Sequence, residues 1–297
     1  MPNRITLAVA VTLSVLFAGA CTPHNTSAAA DPAPTPTPTP TLTPTPTPVA
    51  TRRAVQTVVT PTSPDDSLLV GNGLYTAGKV RGVRCVLPGT APKDNAGIVR
   101  YARTLVDCLN RAWAPLVPRA DVEFTPAALV PFGSGGCDPA VDADDRGAYY
   151  DTGEDAICLG WHTFAVEEAG WRTIRLLHTL AHEYGHHLQT LTGIMTMYDT
   201  GQLPFKSDEL ERNRRMELQA SCFAAAFLGA ERKPLGLTGD RLDTFYYFVT
   251  HAGDENAPEH VPDHGSRKNH GYWSELGFRS ANPVSCNTFT APPKRVS

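Results

Sequence analysis

The sequence predicts one α+β domain over residues 68–297, rich in helix, with a small sheet and disulfide staples. Three observations carry that expectation. Apolar residues recur at helical spacing in three long segments. Short strand patterns lie around Val122–Phe124, Tyr149 and Ile157. Six of the seven cysteines fall in this region of a chain that opens with an export signal.

The elements before the domain explain why export is expected. Arg4 gives a positive start, and the mostly apolar run Ile5–Ala20 ends in small residues, as in a signal peptide over 1–20. That run is shorter than the roughly 20 residues a membrane-spanning helix needs. Ala18-Gly19-Ala20-Cys21 resembles the lipobox of bacterial lipoproteins, in which the cysteine is acylated; Ala18 departs from the usual branched aliphatic residue. Cleavage after Ala20 without lipidation is the competing reading. With a lipid on Cys21, residues 21–67 form a tether. Their Thr-Pro alternation has nothing to bury and favours polyproline II. At about 3.1 Å per residue, Pro32 to Pro48 would reach roughly 50 Å from a membrane surface.

Charge and cysteine content narrow the class further. Lys and Arg number 26 against 30 Asp and Glu, a net charge of −4, with no long run of either sign. Nucleic acid is therefore not expected as a partner. Lipidating Cys21 leaves an even six cysteines, which allow 15 connectivities. Cys137 and Cys158 flank a hairpin pattern turning through Asp151–Asp155, and sequential pairing then gives Cys85–Cys108, Cys137–Cys158 and Cys222–Cys286. Cys108 and Cys222 lie on helical patterns and could instead be buried free thiols.

Within the domain, Ile98, Tyr101, Leu105, Leu109 and Trp113 predict a helix over Ala96–Trp113. Ile174, Leu177, Ala181, Tyr184, Leu188 and Leu191 predict a second, stopped by Gly193. This helix carries His182-Glu183-Tyr184-Gly185-His186, an HExxH pattern expected by chance about 0.013 times at this composition. Residues four apart share a helix face, so both imidazoles can meet one metal ion while Glu183 handles protons beside them. Zinc is the default ion for such a donor set. A catalytic zinc usually takes a third protein ligand from another element. Asp208 and Glu211 resemble a capping box opening a third helix, which runs to about Gly229. On it Glu217 shares a small, apolar face with Ala220, Ser221, Ala224 and Leu228. A carboxylate there needs a cationic partner. A metal is one such partner, and Arg214 is the alternative.

Ala181-His182-Glu183-Tyr184-Gly185-His186-His187-Leu188-Gln189 and Glu217-Leu218-Gln219-Ala220-Ser221-Cys222-Phe223-Ala224 resemble the motifs of a bacterial neutral zinc metallopeptidase family. Gly73-Leu74-Tyr75, His264-Gly265-Ser266 and Cys286-Asn287-Thr288-Phe289 extend the likeness over roughly residues 70–290. The resemblance implies a zincin-like fold, zinc held by His182, His186 and Glu217, Glu183 as catalytic base, and a Cys222–Cys286 bond. Ser221 stands where the family usually has Asp, a position that would accept a hydrogen bond from a ligand histidine.

The remaining polar residues divide by position. His178 reads as packed or supporting, and His187 as a surface or supporting neighbour. His264, Tyr272 and Tyr246 are candidate donors to an oxyanion, with His264 favoured by the resemblance. The strand near Ile157 could add an extended peptide at its edge. Two functions follow. One is a lipid-anchored zinc peptidase cutting peptides or proteins outside the cytoplasmic membrane. The other is an envelope lipoprotein that binds zinc, catalyses weakly and serves as a binding or scaffold module.

Overall fold

The computed structural model describes residues 68–88, 92–138, 147–199, 208–256 and 261–297. The signal, Cys21 and the tether lie outside these residues.

The first long helix, α1, spans Asn95–Trp113, and the Asp94 carboxylate caps it by accepting from the Gly97 N–H at 2.8 Å. Its apolar face, from Ile98 to Trp113, is buried in the main core. Three short strands follow: β1 (Ala128–Pro131), β2 (Ala148–Asp151) and β3 (Ala156–Leu159). Their order is β1-β3-β2, with β3 parallel to β1 and antiparallel to β2. The β2–β3 hairpin turns where expected, and Asp151 Oδ1 accepts from the N–H groups of Gly153 and Glu154.

Two strand expectations are corrected. Val122–Phe124 is not a strand, because the chain after it spends its polar groups on side chains. Asn110 bonds both the N–H and the carbonyl of Ala127, and His187 bonds the carbonyl of Thr125. The first strand begins only at Ala128. Ile157 lies on the central strand, whose two edges are already paired, so it has no edge to offer a peptide.

After the short α2 (Trp161–Ala165) comes α3 (Ala169–Leu191), which ends at Thr192 and Gly193, the glycine at φ +78°. The small α4 (Ile194–Asp199) precedes α5 (Glu209–Ala230). Only half of the capping box forms. Asp208 accepts from the Glu211 N–H at 2.6 Å, while the Glu211 carboxylate turns to Arg215. Helices α6 (Asp240–His251) and α7 (Arg267–Ser280) complete the set, with α7 lying along α5. Helices α3 and α5 approach closely at Gly185, where a Cβ would come within 2.7 Å of Ala220 Cα. Only glycine permits that approach, which brings the HExxH helix against the helix of Glu217.

All six domain cysteines are paired, as Cys85–Cys108, Cys137–Cys158 and Cys222–Cys286. Cys108 and Cys222 are therefore not free thiols. Among the described residues no helix is long and apolar enough to cross a membrane.

Candidate metal centre

The stripe Ile174, Leu177, Ala181, Tyr184 and Leu188 is buried and turns the opposite side of α3 toward α5. There three donor atoms converge. His182 Nε2 lies 3.0 Å from Glu217 Oε2, His186 Nε2 lies 3.4 Å from the same oxygen, and the two ring nitrogens are 3.2 Å apart. Ligands about 2.05 Å from a tetrahedral ion are separated by roughly 3.3 Å. The triangle therefore has the dimensions of one face of a zinc coordination shell. Two imidazoles, each 12% exposed at the side chain, and one carboxylate are also a donor set that suits zinc.

The back of each ring is held. His186 Nδ1 lies 2.8 Å from Gln189 Oε1. Gln189 spends its amide hydrogens on the Met216 carbonyl and Gln219 Oε1. Its oxygen thus accepts from His186 Nδ1–H, leaving the Nε2 lone pair for the centre. His182 Nδ1 lies 2.9 Å from Ser221 Oγ, so a serine orients this ring. Gln219 continues the support to Tyr75 Oη and the Cys286 carbonyl.

Electrostatics follow from crowding these groups together. Burial pushes His186 down, but the Glu217 and Glu183 carboxylates and Gln189 lift it to about 9. Burial likewise pushes Glu217 up, yet His186 and His182 hold it well below the ordinary carboxylate range. The proton held here is one that a metal ion would have to displace. Glu183 is buried, and burial raises its pKa against the pull of His182 and His186. No hydrogen bond or ion pair of the described residues engages its carboxylate. It is placed to take and give a proton.

His264 joins from the loop before α7. Its Nε2 is 3.5 Å from Glu217 Oε2, and its Nδ1 is 2.6 Å from Asp263 Oδ1. Against a desolvation cost, Asp263, Glu217 and Asp254 raise it to about 9. The other two candidate donors are elsewhere. Tyr272 meets Trp273 edge to face beneath Arg295, and Tyr246 packs on Phe245 and Phe278. Arg214 is not the partner of Glu217; it donates to the carbonyls of Val296 and Pro262.

His178 is packed, as expected, with its ring 5.0 Å from Phe248 and 5.5 Å from His270. His187 is not at the surface. It is wholly buried, bonded to Tyr150 Oη and the Thr125 carbonyl, and it ties α3 to the hairpin. Sequence reasoning missed two contributors. Gln189 could have been found, since it stands one helical turn beyond His186 on the same face. His270 carried no signal, because only the packing of α7 on α5 brings it to Ser221.

Two relatives share 37% identity over 125 residues, covering 38% of this chain and 42% of each relative. They are the uncharacterized protein YpfJ of Escherichia coli K12 and its counterpart in Escherichia coli O6:H1 strain CFT073. The chain thus spans less than half the length of these curated relatives. No solved structure matches. The family model described as "Putative neutral zinc metallopeptidase" matches residues 65–289, nearly the whole of the domain, and the chain belongs to that family.

Proposed function

We propose that the chain is a zinc-dependent peptidase that hydrolyses peptides or proteins outside the cytoplasmic membrane, held there by a lipid on Cys21. The observation that carries the reading is the coordination-sized triangle of His182, His186 and Glu217 with the unengaged Glu183 carboxylate beside it. When bound, zinc supplies Lewis acidity that polarises water and the scissile carbonyl. Glu183 removes a proton from the attacking water and returns it to the leaving amine, a cycle suited to a carboxylate with a raised pKa. His264, kept protonated beside Asp263, presents Nε2–H to the oxygen on which negative charge develops. A site that only bound zinc would need no proton acceptor at Glu183. Three disulfides fit an oxidising compartment, which supports action on exported substrates.

The test is cleavage profiling of an unbiased peptide pool by mass spectrometry, with zinc-loaded protein beside Glu183→Gln. Cuts made by the parent and absent with the variant are expected. Stoichiometric zinc with identical silence from both proteins would favour the binding-module reading instead.

A further inference from the structure

Four helices meet behind His182. Its Nδ1 lies 2.9 Å from Ser221 Oγ on α5, and that oxygen lies 3.1 Å from His270 Nε2 on α7. His270 Nδ1 is in turn 2.7 Å from the Val249 carbonyl on α6. The direction of each bond follows from what each group can do. A backbone carbonyl only accepts, so His270 carries its proton on Nδ1. The ring is 4% exposed, and burial outweighs its bond to Val249 and lowers its pKa to about 4. It is therefore neutral, with a bare Nε2. The one hydroxyl hydrogen of Ser221 goes to that nitrogen, and a serine lone pair is left facing His182 Nδ1–H.

We infer that His270, acting through Ser221, is a positioning residue for the metal centre. The need for it lies in the ambivalence of a hydroxyl. A carboxylate at this place could only accept from His182, whereas a serine can also donate. If Ser221 donated to His182 Nδ1, the imidazole proton would move to Nε2 and cap the lone pair that faces Glu217 and His186. By consuming the hydroxyl hydrogen, His270 leaves serine an acceptor toward His182. The pair thus performs the orienting task of a carboxylate without placing a charge there. The inference rests on His182 being a metal ligand and does not depend on peptide hydrolysis.

The experiment is a double-mutant cycle on zinc affinity, read by chelator competition, with Ser221→Ala, His270→Phe and the double variant. Each single change is expected to weaken zinc binding about tenfold or more, the usual scale for groups that orient a ligand. The double variant should bind no more weakly than Ser221→Ala alone. Equal loss from His270→Phe with Ser or Ala at 221 would overturn the inference, as would no loss in the parent. Long-range ¹⁵N correlation spectra of the unmutated protein decide the same point without any variant having to fold. They should show His270 as the Nδ1–H tautomer, and an Nε2–H tautomer or an imidazolium near neutral pH would refute the relay. A parent that takes up no zinc would sink the metal reading itself, and the tautomer would still decide the relay.

Discussion

Gly185→Ala tests the contact that assembles the centre. The added Cβ would stand 2.7 Å from Ala220 Cα and 2.8 Å from its carbonyl oxygen. The first distance is about 0.8 Å short of a comfortable carbon–carbon separation of roughly 3.5 Å. Both obstacles belong to the α5 backbone, so no rotamer change relieves them. Alanine would otherwise favour the middle of a helix by about 1 kcal/mol. Overpacking costs about 1–3 kcal/mol, and a backbone clash belongs at the upper end. A net loss of about 1–2 kcal/mol is expected, or roughly 2–8 °C in Tm for a domain this size. Moving α5 outward by the same 0.8 Å would also stretch the 3.4 Å separation of His186 and Glu217 well past a tetrahedral edge of roughly 3.3 Å. Zinc affinity should fall about tenfold or more, on the scale of disturbed ligand orientation. Thermal unfolding with a chelator and zinc titration measure the two effects separately. A variant about 1 kcal/mol more stable with unaltered zinc affinity would refute the close helix contact.

Glu217→Gln should abolish tight zinc binding while the fold survives, and ¹⁵N spectra should show His186 losing the elevation to about 9 that Glu217 supports. Below the ordinary histidine value near 6.5, the unfolded chain takes up protons that buried His178 and His270 refuse, so stability should fall with acid. The slope is up to about 1.4 kcal/mol per pH unit for His270 between about pH 6.5 and 4, with His178 adding in the same direction, read from denaturant titrations. Well below pH 6.5, His186 and His264, raised to about 9, hold their protons in both states and add no slope. Replacing Cys222 and Cys286 by Ser opens a link of sequence separation 64, worth about 4 kcal/mol in the chain-entropy model, against about 3 for Cys85–Cys108 at 23; equal losses in denaturant titrations would contradict that ranking. Ser221→Asp should tighten zinc about tenfold and turn His270 into an imidazolium, which ¹⁵N shifts would report.

What the sequence revealed depended on the range of each interaction. The helix of His182 was legible because its apolar positions step by three and four, and Gly193 ends it with a backbone angle few other residues accept. Glu217 was legible because a carboxylate stood out on a small, apolar face. Val122–Phe124 misled for the same local reason. Its residues suit a strand, but strand pairing is decided by neighbours, and just beyond it Asn110 and His187 occupy the backbone groups of Ala127 and Thr125. His187 looked polar enough for the surface, yet Tyr150 and Thr125 satisfy both ring nitrogens and let it be buried whole. No pattern along the chain could reveal His270, which is separated from Ser221 by 49 residues.

The imidazoles of His182 and His186 share a property that neither sequence motif states. Behind His186 stands the Gln189 amide, and behind His182 stands a serine relayed to a neutral histidine. Neither supporting group carries a charge, so the carboxylates nearest the two imidazoles are Glu217 and Glu183. A bound divalent cation would meet Glu217 as its one anionic ligand, with neutral support behind both imidazoles. Less electron density is pushed onto the ion than a carboxylate at 221 would supply. Such an ion would be held less tightly but would be the stronger Lewis acid, since the two effects share one cause. A neutral residue at 221 therefore does not by itself argue for lost catalysis. It argues for weaker retention of zinc, and the Ser221–His270 pair limits that loss by fixing ring direction without adding charge.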